Sequence, residues 1–302
     1  MKALAHQQWP VSQRTLGVSS SNDTQVLQAD LDQVYRWAHT NNALFNSEKF
    51  QCLRYGTNQD LKNTTSYRSD GGTIIKSESS VRDLGVTMSD NALFSEHIAN
   101  VVQSANLKCG WVLRTFKTRN RLPLLTLWRS LVLPIVDYCS QLWSPSKPGL
   151  IQMIEMVQVN FLKKIKDIPK LDYWEQLKFL KMYSLQRRRE RYCIIYVWKI
   201  LENRVPNFGI EVGCSKRLGR YCIIPHVRQS SSCRTQNIRF GSMGINGPRL
   251  FNSLPPIIRN ISDCSIDVFK RAVDKHLESI PDEPRTPGLI RYCSRNTNSI
   301  VA

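Results

Sequence analysis

Lys108, Arg114, Lys117, Arg119 and Arg121 place five cations in fourteen residues with no acid among them. Trp111 and Phe116 lie inside that run and Trp128 lies just beyond it. Lysine and arginine neutralise phosphates, and aromatic faces stack on bases and sugars. The lack of any offsetting carboxylate favours a nucleic-acid surface over an ordinary solvated helix face, while the three aromatics read mainly as core. A second cluster, Arg187, Arg188, Arg189 and Arg191, is interrupted by Glu190. Its setting within a helix makes internal ion pairing as good an account of it as phosphate binding.

Other chemistries find little support. There is no G-x-x-x-x-G-K-[ST] phosphate loop and no G-x-S-x-G nucleophile elbow. Cys222, His226 and Cys233 come nearest to a metal cluster, at a spacing that fits no standard zinc site, so no metal is expected. His97 falls on an expected helix and reads as a packed or surface histidine.

The whole chain of 302 residues carries a net charge of +18, and that charge is unevenly placed. Residues 1–92 hold nine basic and nine acidic residues, whereas residues 93–302 hold 33 and 15. Such a split points to a polyanion partner for the second part. A hydrophobic content of 41% supports a real core. No apolar run reaches the roughly 18–20 residues that a membrane span needs, and residues 1–10 lack the apolar stretch of a signal peptide. Nine cysteines without a C-x2-C pair predict an intracellular, reduced protein, with nucleus and cytoplasm equally open.

The elements that must position these residues follow from periodicity. Residues 1–21 show none and read as a flexible start. Leu27, Leu31, Val34 and Ala38 recur at helical spacing over 24–39, with Asn22, Asp23 or Thr24 as the cap. A strand is expected over 43–56, then short strands at 73–76 and 81–88 around the Asp70-Gly71-Gly72 turn. From residue 93 the period becomes helical. Ile98, Val101, Ala105, Cys109, Val112 and Phe116 form one stripe. Further helices are expected over 124–139 with a bend at Pro134, then 150–168, 171–180 and 184–202. Residues 206–302 read as irregular except for a last helix over 265–278, and residues 212–262 carry eight basic residues and no acid. The fold class is therefore mainly α with a small α+β N-terminal part.

The order of several segments carries a resemblance. These are Leu27-Gln28-Ala29-Asp30-Leu31-Asp32, Phe45-Asn46-Ser47-Glu48-Lys49-Phe50, Leu53-Arg54-Tyr55-Gly56 and Val81-Arg82-Asp83-Leu84-Gly85-Val86. Leu131 to Cys139, Ile154 to Gln158, Ser184 to Tyr192 and Gly247 to Pro255 continue the series. Together, over about residues 18–280, the chain resembles the part of LINE-type (non-LTR) retrotransposon reverse transcriptases that follows the catalytic motif, jockey-like elements especially.

That resemblance implies a palm remnant and primer-grip-like hairpin over 22–92. It implies a helical thumb over 93–168 and a basic C-terminal region over 169–302. Lys49 sits where the family places a lysine that helps neutralise the leaving pyrophosphate, and Arg82 lies on the primer-grip strand. The family polymerises with two Mg²⁺ ions held by clustered aspartates. This sequence has no Asp-Asp pair, and Asp23, Asp30 and Asp32 read as a helix cap and a solvated face. The expectation is a truncated, RNA-directed DNA polymerase fragment, inactive alone and without a cofactor of its own. Any polymerisation would need a palm supplied by a partner. The alternative expectation is a non-catalytic binder of RNA or RNA–DNA duplex that uses the basic thumb and tail.

Overall fold

The computed structural model describes residues 20–43, 49–56, 58–215, 219–226 and 241–282, with 17, 45, 46, 238 and 300 besides. The chain forms two compact units, Met1–Leu93 and Phe94–Ala302. It is mainly helical, with a small mixed α+β N-terminal region. Among the described residues no helix is long and apolar enough to cross a membrane.

The first unit opens with helix α1 (Ser21–Thr40). Its cap is Ser20, two residues before the first of the three expected candidates. The Ser20 hydroxyl accepts from the Asp23 N–H while the Asp23 carboxylate accepts from the Ser20 N–H, a reciprocal capping box. Asp23 is thus consumed in a cap, and exposed Asp32 accepts from Gln28 on the same helix. Gln28 also grips the backbone of Arg68 in both directions, with its amide oxygen accepting from the Arg68 N–H and its amide nitrogen donating to the Arg68 carbonyl. Tyr35, Phe45 and Phe50 close an aromatic cluster beneath α1, with ring centroids 5.1 to 6.0 Å apart.

The strands are shorter than periodicity suggests. Among the described residues of the expected 43–56 strand only Gln51–Leu53 (β1) is strand, since Asn42 turns the chain at positive φ and the Lys49 N–H bonds back to the Asn46 carbonyl. β1 pairs in parallel with β2 (Lys76–Glu78), and the crossover contains a short helix α2 (Gln59–Thr64) that the sequence did not announce. The expected strand over 81–88 is instead a hairpin of β3 (Ser80–Asp83) and β4 (Val86–Ser89). Leu84 and Gly85 both take positive φ in a two-residue turn whose twist matches the flanking strands.

The second unit begins with α3 (Ser95–Thr115), which buries His97, Ile98, Val101, Ala105, Cys109 and Val112 on one stripe. The next expected helix is broken where its hydrogen-bond ladder fails. α4 (Arg121–Leu127) passes into a π-turn at Trp128–Val132 before α5 (Leu133–Asp137). The Leu133 N–H reaches back five residues to the Trp128 carbonyl, and Pro134 has no N–H to offer the Ser130 carbonyl. The break therefore lies ahead of Pro134 rather than at it. Trp128 fills the widened turn, fully buried against Phe161.

α6 (Ser140–Trp143), α7 (Pro148–Leu162), α8 (Tyr173–Leu180) and α9 (Leu185–Leu201) follow. A capping box of Asp172 and Glu175 starts α8. The region expected to be irregular contains a hairpin of β5 (Glu211–Ser215) and β6 (Gly219–Ile223). It also contains α10 (Met243–Asn252), α11 (Pro256–Arg259) and the anticipated α12 (Ile266–Glu278). The core here is built on α9. Trp198 stacks on Phe269 at 4.8 Å and 11°, and its indole N–H donates to the Ile261 carbonyl. Gly247 lets α10 approach α9, since a Cβ there would sit 3.0 Å from a Val197 methyl.

Because Trp198 anchors this core by packing and by a buried hydrogen bond, Trp198→Ala should destabilise the second unit by about 3–5 kcal/mol. Urea unfolding followed by far-UV circular dichroism reads that loss. A cost below about 1 kcal/mol would show that the core does not depend on α9.

Candidate nucleic-acid interface

The basic run lies where α3 ends and α4 begins. Lys108 reaches over the Trp111 ring at 5.1 Å, and Trp111 meets Phe116 edge-on at 6.3 Å. Trp111 is 45% exposed and Phe116 is 36% exposed. Of the three aromatics read mainly as core, only Trp128 is buried, because the α3 stripe ends at Val112 and turns Trp111 outward. Arg114 and Lys117 are exposed. Among the described residues, no carboxylate comes within ion-pair range of any of the five cations.

Two of the five also hold structure. Arg119 donates to the carbonyls of Leu113, Phe116 and Thr118 at 2.7 to 2.8 Å, which satisfies the open C-terminal end of α3. Arg121 lies over the Phe179 ring at 5.1 Å. Arg121 and Phe179 line a cavity of about 250 Å³ with Arg129 and Lys181, two cations outside both sequence clusters. Arg129 follows Arg121 on the same helical run, which the sequence shows, but Lys181 arrives only when α8 folds back.

The arginine run on α9 has a different fate. Arg187 and Arg189 are 0% and 1% exposed, so the structure removes both from the residues that can meet a phosphate. The physical reason is a buried polar network at the N-terminus of α9. Arg187 donates to the Pro281 carbonyl and faces Glu190 and Asp282 at 3.9 and 3.8 Å. Ser184 caps the helix and donates its N–H and hydroxyl to Asp282. Arg188 pairs with Asp137 at 2.7 Å and donates to the Tyr192 hydroxyl, and Arg191 pairs with Asp274. Burial depresses the Arg189 guanidinium, and the nearby Glu155, Asp137 and Glu190 oppose that shift.

Glu155 of α7 is the centre of this network. It is fully buried, accepts from the Tyr173 hydroxyl, and accepts from the Leu185 N–H at 3.1 and 3.2 Å. A carboxylate there satisfies an orphan donor of α9 and meets the positive end of the helix dipole. Burial nevertheless dominates and pushes the Glu155 carboxyl up to about 7. Gln158, one turn further along α7, donates to the Tyr173 hydroxyl and the Tyr183 carbonyl.

The remaining candidates are quickly placed. Lys49 and Arg82 belong to the first unit and are both exposed. His97 is buried edge-on against Trp143. Cys222 is buried under Asn252, and Cys233 lies outside the described residues. Burial holds the thiols of Cys109 and Cys193 up at about 12 and that of Cys222 at about 11, which leaves them protonated and unreactive. In the basic C-terminal stretch, Arg220 pairs with Glu202 and donates to the Arg259 and Ile261 carbonyls, and Arg259 is itself buried. Lys216, Arg217, Arg228, Arg234 and Arg239 lie outside the described residues.

The chain is 25% identical over 149 residues to the RNA-directed DNA polymerase from mobile element jockey of Drosophila melanogaster. That stretch is 48% of this chain and 16% of the fly protein. It is 27% identical over 112 residues to the uncharacterized protein B0403.1 of Caenorhabditis elegans, covering 36% of this chain and 57% of that protein. No family model matches the chain, and no solved structure matches it. The relationship is thus a distant, partial likeness to a reverse-transcriptase protein.

The raised carboxyl fixes a pH dependence. A group held at about 7 in the fold and about 4.5 when exposed contributes stability that is fully present below 4.5 and is lost as pH rises through 7. The stability of the wild type relative to Glu155→Gln should therefore fall between pH 4.5 and 8, by up to about 3 kcal/mol. Urea midpoints at pH 5 and pH 8 check this. A constant difference between the two proteins would contradict the placement of Glu155.

Proposed function

We propose that this chain is the gripping, non-catalytic part of a LINE-type, jockey-like reverse transcriptase, and that it holds RNA or an RNA–DNA duplex by its backbone. The observation that carries this reading is the cation run at the α3–α4 junction, which lacks carboxylates and contains the half-exposed Trp111. Phosphate contacts fix position and register without reading sequence, which is the task of a grip. On this reading residues 22–92 correspond to the end of a palm with the β3–β4 hairpin as primer grip, and the helices from 93 correspond to the thumb.

Lys108, Arg114, Lys117 and Arg121 supply the free charge, and Arg119 adds its charge while closing α3. Trp111 offers a stacking face where a strand leaves the duplex. The sequence contains no Asp-Asp pair to hold two metal ions, so polymerisation is not expected of this chain alone. The likeness to the jockey polymerase and the placement of the cations support the reading together; neither would carry it alone.

Binding through about six phosphates should give a log K against log salt slope of about −4 to −5. Fluorescence anisotropy with a labelled RNA–DNA duplex between 50 and 300 mM salt measures it, and a flat slope or no binding at low salt removes the reading. Primer extension on an RNA template with Mg²⁺ should give no product. Clear extension would show that catalytic groups are present after all. Trp111→Ala should weaken single-stranded RNA by about 1–3 kcal/mol and affect duplex less.

A further inference from the structure

A second cavity adjoins the first. It measures about 460 Å³ and its lining includes Arg129, Lys181, Arg188 and Arg191. Arg129 and Lys181 line both cavities, so they stand at the boundary between the two. The charges around the pair are unequal in their commitments. Arg188 is neutralised by Asp137, and Arg191 by Asp274, the acid that also lines the larger cavity. Arg129 and Lys181 are exposed, and among the described residues neither has a carboxylate in ion-pair range. Arg121, which lies over the Phe179 ring and has no carboxylate in ion-pair range among the described residues, adds a third charge at the smaller cavity.

Lys181 closes α8 in the left-handed conformation, with φ 50 and ψ 49, and its N–H bonds back to the Leu177 and Lys178 carbonyls. This turn ends the helix and leaves the exposed lysine at the boundary of the two cavities.

We infer that Arg129 and Lys181 form a phosphate seat for one nucleic-acid strand, with consecutive phosphodiesters lying in the two adjoining cavities and Arg121 completing the smaller one. This rests on the nucleic-acid reading above and extends it from the α3–α4 junction to α8. A lone phosphate would use one cavity and one side of the cation pair. A strand carrying successive phosphates uses both, with each cation between two negative charges. Phosphodiester contacts of this kind set register and leave base identity unread.

The test compares the wild type with Arg129→Gln/Lys181→Asn and with Arg114→Gln/Lys117→Gln, using a labelled 20-nucleotide RNA and the matching RNA–DNA duplex. Asparagine at 181 keeps a residue that tolerates the left-handed turn, and thermal melting confirms that both variants fold. Removing two phosphate contacts should reduce the magnitude of the salt slope by about 1.4 to 1.8 and weaken binding about tenfold or more near 100 mM salt. If the wild type binds with a steep slope and the 129/181 variant matches it within twofold, the seat is wrong while the broader reading survives. If only the 114/117 variant loses slope, the grip is confined to α3 and the seat is again wrong. Absence of binding by the wild type overturns both.

Discussion

The second unit depends on one buried carboxylate. Glu155 reaches from α7 to the first N–H of α9 and takes the Tyr173 hydroxyl on the way, which ties α7, α8 and α9 at a single point. Its burial is costly, as the upward shift of its carboxyl shows. The cost is only partly offset by the helix terminus it satisfies and by the buried Arg189 guanidinium beside it. Asp282 and Ser184 complete the cap, and Arg187 and Arg188 extend the network to Pro281 and Asp137. Removing one member leaves others buried without compensation, so the cluster acts as a unit.

That constraint sorts the charges. Arginines that look alike in sequence fall into three groups: buried in the network (Arg187, Arg189), paired at its edge (Arg188, Arg191), and without a carboxylate partner among the described residues (Arg114 and Arg129, exposed, and Arg121, half-buried over Phe179). The excess charge that begins near residue 93 is therefore only partly available to a polyanion. What remains available lies at the end of α3, along α4 and at the end of α8. A rigid helical frame holding a strip of unpaired cations suits backbone recognition, where geometry matters and base identity does not.

Much of the helical unit was legible from its apolar period, and the limits of legibility have physical causes. The α3 stripe from Ile98 to Val112 and the α9 row through Trp198 are long and strongly periodic, so burial follows from spacing. The break at Trp128–Val132 was misplaced because a π-turn preserves composition while shifting register. Periodicity alone reads the β3–β4 hairpin as one strand, because Leu84 occupies a positive-φ position that its residue type does not signal, whereas the family resemblance implies a hairpin there. For the candidate site, the 108–121 cluster was visible as charge without acid. The α9 arginines misled because their partners Asp137, Asp274 and Asp282 lie far away in sequence. Lys181 could not be found for the same reason.

Arginine-selective modification read by mass spectrometry, with and without bound RNA–DNA duplex, tests this sorting most directly. The account predicts that Arg114, Arg121 and Arg129 react in the free protein and are protected by duplex. Arg187 and Arg189 should stay inert in both states. Rapid modification of Arg187 and Arg189 in the free protein, with protection when duplex binds, would contradict the account and move the grip to α9.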